Sequence, residues 1–588
     1  MPAGQIDKLV FAKLSSLGIQ PVLCSDAVFV RRVYLDVIGT LPTAKEARDF
    51  LADPDAANKR RRLVDRLLDR NEFADYWAMK WGDVLRIKAE FPVNLWPNAA
   101  QAYHRWVRAS IAENKPYDRF ARELLTSSGS NFRVGPVNFY RAIQNRTPEG
   151  TATAVALTFL GARADAWPKD RLAGMAVFFA QVGYKPTREW KEEHVFWDPY
   201  RAAEPAAKSE PDKAAPKPVA AAPPVAAAPP VATAPLAATF PDGTKVQLSP
   251  RRDPREVFAD WLITPKNPWF TRCIVNRVWA WLLGRGIIHE PDDIRQDNPP
   301  ANPELLAFLE KELIAGHYNL KRLYRLILNS QTYQLSSIPL PKAAAPAGGL
   351  AEANFARYPL RRLDAEVLID AVNKIAGTSD LYTSPIPEPF TYIPEDKPAI
   401  AIADGSITSP FLALFGRSAR ATGLENERNN KPTPAQWLHM LNSSNIQRKL
   451  DQGPKLKAIF ESGRKPEKIL DELSLTVLSR PPTPAEVQTA LEHVKPLYAN
   501  KPPAGKKPDS GKPGAGKKPG AGKKPGAGDG QGAGKPDSGK KPEATNKSGP
   551  AAKPGADKPA KGPPIRRYDE WVDIAWALVN SEEFLYRH

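Results

Sequence analysis

Four stretches within one region decide the reading of this chain: DPREVFADWL (253–262), NRVWAWLLGRGII (276–288), DNPPANPELLAFL (297–309) and LNSQTYQLSS (328–337). Apolar residues recur there at helical spacing between residues that start and stop helices. Asp253-Pro254 predicts a helix that runs through Trp261. Phe270, Ile274, Val278 and Trp281 form the buried face of the next, which Gly284 ends. Asn302-Pro303-Glu304 caps a third helix, with Leu305, Leu306, Leu309 and Leu313 turned inward, and Gly316 stops it. Asn319 caps a fourth, burying Leu320, Leu323 and Ile327.

The same grammar extends outward. RRLDAEVLIDAVNKIAG (361–377) reads as a helix, and Thr433-Pro434 opens another over AQWLHMLNSSNI (435–446). FPDGTKVQL (240–248) reads as a short β-like segment with an Asp-Gly turn. In the first 200 residues, Thr43 and Glu46 make a capping box. Leu63, Val64, Leu67 and Leu68 share a face, and Phe73, Trp77 and Trp81 repeat every four residues as an aromatic stripe expected in the core. Thr147-Pro148 opens a helix toward Phe159-Leu160-Gly161. No run of βαβ units and no fixed-period repeat is present. The fold class is mainly α, with one helical module over 1–200 and a second over 240–499.

Two compositionally biased stretches separate these parts. Residues 201–239 are dominated by Ala and Pro and read as a linker. Residues 500–564 repeat Lys-Pro-Gly-Ala-Gly units and read as a disordered insert, too poor in apolar side chains to offset the entropy of ordering. That insert holds 15 Lys against 5 acidic residues, so it carries more than half of the net charge of +18. It is a possible contact for a polyanion. No aromatics interleave its lysines, and there is no specific nucleic-acid motif. Beyond it, YDEWVDIAWALVNSEEFLYRH (568–588) is an apolar amphipathic helix with Trp571, Ile574, Ala575, Leu578 and Phe584 roughly on one face. Such a helix is not stable alone in water, so the segment 565–588 is expected to dock on the second module, next to SLTVLSRPPTPAE (474–486).

The chemistry legible from residue types is sparse. Cys24 and Cys273 match no metal spacing, and Cys273 reads as a small core residue. The seven histidines form no paired metal motif, so no metal site is expected. Walker A, GxGxxG and GxSxG patterns are absent. There is no run long enough for a transmembrane helix, and the N-terminus has amphipathic spacing rather than a signal peptide. The candidates that remain are Asp292 and Asp293 with Arg285 and Arg295, and Glu427 with Arg428. Adjacent carboxylates beside guanidinium groups can act as a general acid and base or hold a cation. They can equally be ion pairs that fix a loop, with Arg285 and Arg295 gripped by the two aspartates. Asp364 and Glu366 allow the same two readings.

The motifs IDKLVFAKLSSLGIQP (6–21), FVRRVYLDVIGTLPTAKEARDFL (29–51) and NEFADYWAMKWGDVLR (71–86) resemble the planctomycete-specific cytochrome-associated domain (PSCyt type). The four stretches above, with RRLDAEVLIDAV (361–372), FGRSAR (415–420) and ALVNSEEFLYRH (577–588), resemble the planctomycete-specific domain of unknown function (PSD type) that accompanies it. The resemblance implies a c-type haem motif, Cys-x-x-Cys-His, after Phe-Leu-Gly. Here TFLGARADAWPKDRL (158–172) contains neither cysteine nor histidine. It also implies Arg-x-x-x-Cys-x-Cys-Glu-Arg in the second module, where this chain has Leu424 and Asn426 before Glu427-Arg428. The expectation is therefore a variant without the haem site and with no cofactor: a non-redox scaffold or binding component. The resemblance suggests an exported or cell-envelope setting. The alternative is a hydrolase acting on a carbohydrate or polyanionic substrate through Asp292, Asp293, Arg285, Glu427 and Arg428.

Overall fold

A computed structural model describes residues 4–201, 236–338, 349–499 and 569–588. The expectations for the insert at 500–564 and for most of the Ala/Pro-rich linker concern residues outside these. The described chain is mainly α, and its helices begin where the sequence marks them. Thr43 accepts from the Glu46 amide at 3.2 Å while the Glu46 carboxylate accepts from the Thr43 amide at 2.8 Å, closing the capping box of the helix Ala44–Ala52. Thr147 caps Pro148–Val155, Asn302 caps Pro303–Ala315 and Asn319 caps Leu320–Leu328. Each side-chain oxygen takes one of the amides that a helix start leaves unpaired.

The aromatic stripe joins the two modules. Phe73, Trp77 and Trp81 line one side of the helix Asn71–Val84 and meet residues more than 190 positions away. The Trp77 ring lies 4.4 Å from Tyr324 and 5.5 Å from Trp281, and Trp81 lies 5.8 Å from Trp281. An indole buried to this degree stabilises the packed state by roughly 4–6 kcal/mol of apolar transfer. One contiguous core thus contains residues from both modules and from the C-terminal segment. At its centre runs the helix Phe270–Leu283, in which every residue except Arg272 is buried. The expected one-sided apolar face is there, but the opposite face is covered too.

The described strands are few and short. Leu236–Thr239 and Lys245–Leu248 form the hairpin signalled by Asp242-Gly243, with Gly243 at φ +89° in the turn. A three-stranded antiparallel sheet of Gly129–Ser130, Glu193–Trp197 and Val182–Pro186 has no counterpart in the sequence reading.

The C-terminal helix Asp569–Val579 packs on Pro466–Leu478 with Trp571, Val572, Ala575 and Val579 buried. The chain then continues through Glu582–Leu585 to Tyr586–Arg587, which pairs antiparallel with Arg361–Arg362. The segment also reaches the first module: Arg31, fully buried, donates to the carbonyls of Val477 and Phe584, each at 2.8 Å.

A buried lattice of charges knits these parts together. Asp364 accepts from Lys80 and from Arg587, each at 2.9 Å. Glu366 is clasped by Arg428 at 2.6 and 3.0 Å and by Arg417 at 3.2 Å. Asp83 receives Arg420 at 3.0 Å and Arg428 at 2.8 Å. Asp36 takes the hydroxyls of Tyr333 and Tyr358 and lies 3.3 Å from Arg587. Buried charges persist only when paired and hydrogen-bonded in this way. Among the described residues no helix is long and apolar enough to cross a membrane.

Candidate binding cleft

The residues singled out in the sequence separate in the structure. Asp292 is buried and faces inward: one oxygen takes Arg277 at 2.7 Å, the other the Glu425 amide at 2.6 Å. Its arginine is therefore Arg277, not Arg285. Asp293 pairs with Arg295 at 3.1 Å, the half of the proposed pairing that is present. Arg285 makes no hydrogen bond or ion pair with any of the other four, and its Nε is buried without a partner. Glu427 folds its own loop, accepting from the amides of Ala421 at 2.8 Å and Thr422 at 3.2 Å. Arg428 belongs to the buried lattice through Asp83 and Glu366. Of the five, only Asp293 lines the large cleft described next.

That cleft has a volume of about 980 Å³ and lies between the segment that follows Gly161 and the loop 288–300. Its construction starts at the helix Pro148–Val155, which widens into a π turn over Ala156–Leu160 and stops at Gly161 with φ +62°. A Cβ at Gly161 would lie 2.8 Å from Ile294 Cδ1 and 3.2 Å from Cys273 Sγ, so glycine is required both for the left-handed backbone and for the crossing of the two segments. The Gly161 carbonyl accepts from the Ile294 amide at 2.8 Å, pinning that crossing.

Two polar residues inside the apolar central helix support the far wall. Asn276 exchanges two hydrogen bonds with the backbone of Ile288, each at 2.9 Å. Arg277, with no exposed surface, donates to the carbonyls of Thr158 and Leu157 and to Asp292. It ties the π turn to Asp292 at the opposite loop. Asn298 then staples the loop by donating to the carbonyls of His289 and Asp293 at 3.0 and 2.9 Å. The sequence reading missed Asn276 and Arg277, although a signal existed. A polar pair in the middle of an apolar helix has to be hydrogen-bonded to be buried at all.

The lining combines two indoles with charges of both signs. Trp167 and Trp269 are half-buried. Arg171 lies over the Trp167 ring at 4.0 Å and donates through Nε to the Pro241 carbonyl at 3.0 Å. Partial burial draws its guanidinium below the ordinary value, with Asp242 opposing. Arg272 is committed to Glu310 at 2.8 Å, and Arg295 to Asp293 and Asp297. Beneath the wall, burial pushes the Cys273 thiol up to about 11, so it stays protonated at neutral pH and is no nucleophile. Burial likewise raises the Glu425 carboxyl, which accepts from the Trp281 indole at 2.8 Å.

No Cys, His or Met lines the cleft. The residues present therefore do not fit a thioether-linked haem, which needs two thiols and an axial ligand. Among the described residues, no group of three or more His, Cys, Asp or Glu is arranged to hold a metal ion. What the cleft offers is stacking surface, cationic hydrogen-bond donors and acceptor oxygens on a loop that is fixed from behind.

Two family models match the chain: PSCyt2, a protein of unknown function (DUF1549), over residues 5–166, and PSD1, a protein of unknown function (DUF1553), over residues 254–494. No curated protein and no solved structure matches it.

Proposed function

Since this chain belongs to the planctomycete-specific family that sets a PSCyt2 region ahead of a PSD1 region, both of unknown function, we propose that it is a ligand-binding component rather than a haem-carrying redox protein. The cleft between the post-Gly161 segment and the loop 288–300 carries this reading. Its volume falls in the range of ligand sites, and its walls are held by the fully buried Asn276 and Arg277 rather than by surface contacts. A cleft that sets two indoles among charged groups of both signs, braced from within, offers a molecule both stacking surface and hydrogen-bond partners. The geometry favours binding over hydrolysis by the five sequence candidates, because Asp292, Glu427 and Arg428 are all turned to partners inside the protein. A cell-envelope setting rests on the family resemblance alone.

Two measurements test the reading. Protein made in a host competent for cytochrome c maturation is expected to show no Soret band, and a stoichiometric one would overturn the non-redox assignment. A thermal-shift screen of sugars, nucleotides and organic acids against wild type and Trp269→Ala should give at least one compound that stabilises only wild type. If no compound distinguishes the two proteins, the cleft is not a ligand site.

A further inference from the structure

The cleft is polarised, and this deepens the binding reading on which it rests. On the wall that follows Gly161, Arg171 has no ion pair and Arg163 only a long one to Glu290, and the same wall carries the exposed Asp165. Arg171 has no carboxylate within ion-pair distance and uses only Nε inside the protein, toward Pro241. Its plane is held against Trp167. Arg163 comes no closer than 3.6 Å to its nearest carboxylate, on Glu290, and its Nε is buried without a partner. A stacked guanidinium with its terminal N–H groups free is preorganised for two parallel bonds to a planar oxyanion. The opposite loop has the reverse character. Asp293 and Asp297 leave acceptor oxygens beyond their bonds to Arg295, and Gln296 is exposed and unengaged there. A second anionic group on the ligand would meet these carboxylates, whereas neighbouring hydroxyls would donate to them. Trp269 adds an aromatic surface at the cleft from the start of the central helix.

We propose that the cleft binds an acidic saccharide of the uronate class, its carboxylate held by Arg171 and Arg163 and its hydroxyls directed to the 293–298 loop, with a ring face against Trp269. The wall with Arg171 and the loosely paired Arg163 selects one oxyanion. The wall with acceptors selects against a polyphosphate.

Isothermal titration of the full chain with galacturonate, with its methyl ester and with inorganic phosphate tests this. Galacturonate, which carries a single carboxylate, is expected to bind, with the methyl ester at least tenfold weaker and phosphate alone not binding. Arg171→Gln and Arg163→Gln should each weaken galacturonate at least tenfold while keeping the wild-type circular dichroism and unfolding midpoint. Equal binding of acid and ester, or wild-type affinity in both arginine variants, would overturn the anion assignment and leave the cleft reading standing. Phosphate binding as tightly as the saccharide would reduce the ligand to a free oxyanion and overturn the saccharide. Failure of both saccharides, while another compound stabilises wild type and not Trp269→Ala, would overturn the uronate class without touching the binding reading.

Discussion

Arg277 shows how one side chain can define a wall. Its guanidinium closes the carbonyl end of the π turn and holds Asp292, which in turn fixes the Glu425 amide. Removing only the arginine leaves a buried carboxylate uncompensated, a loss of about 3–5 kcal/mol. Arg277→Met should lower stability by that order in urea denaturation, and adding Asp292→Asn should restore part of it, because the stranded charge is gone. A double variant no more stable than the single would show that the pair is not coupled. The sequence placed Asp292 in an ionic pair but named the wrong partner. Arg285 is closer in the chain, whereas the helix turns Arg277 inward and leaves Arg285 past its end at Gly284. Proximity along a chain favours the neighbour, and only the direction of side chains on a folded helix corrects it.

Elements were more legible than their partners. Helix starts carry their chemistry locally, in Thr43 with Glu46 or Asn302 with Pro303, so they could be read residue by residue. The aromatic stripe was readable as core for the same reason. The three-stranded sheet was not. Its strands of two to five residues lack a clean alternation, and Gly129–Ser130 pairs with a strand more than 60 positions away. Of the buried lattice, Asp364, Glu366 and Arg428 were legible as ion-pair candidates, whereas Asp36, Asp83 and Arg587 share no sequence motif with them and escaped. The last helix covers part of its apolar face against Pro466–Leu478. Trp571, 1% exposed, is its anchor. Trp571→Ala should cost roughly 3–5 kcal/mol and lower the thermal midpoint, measured by calorimetry. A change under 1 kcal/mol would mean that the helix is not integral to the core.

The whole molecule behaves as one body because its halves share a core and a charge lattice. Fragments 1–201 and 236–588 should therefore be insoluble or unfolded when made separately, and should co-purify when made together. The Trp77, Trp81 and Trp281 contacts and the Lys80–Asp364 pair cross between them. Two independently folded fragments that ignore each other would contradict this. The lattice also sets a pH dependence. Burial works against the Glu366 charge, but Arg428 and Arg417 prevail and bring its carboxyl down to about 2 from an ordinary 4.5. Its contribution, on the order of 3 kcal/mol, is complete above pH 4.5 and is lost as pH falls from there through 2. Asp370 has the opposite sign. Burial without a cation raises it to about 7 from an ordinary 3.8, although two amides donate to it, so it costs stability as pH rises across that interval. Glu366→Gln should be less stable than wild type at pH 7 and show a flatter loss below pH 4.5 in urea titrations across pH. An unchanged acid limb would remove Glu366 from the account.

One contact from the fold has a meaning in time as well as space. Arg31 and Arg32 emerge long before the carbonyls of Phe584 and His588 that they bind, which lie more than 550 residues later. At ordinary translation speeds of about 5–20 residues per second, these guanidinium groups wait roughly half a minute to two minutes for these partners. Arg32 can meet the Tyr333 and Leu335 carbonyls, and Arg31 the Val477 carbonyl, well before that, so each guanidinium is completed in steps and its set of partners closes only at the end. Native closure is therefore a late event, and the chain's exposure to misassembly is governed by how quickly residues 569–588 arrive.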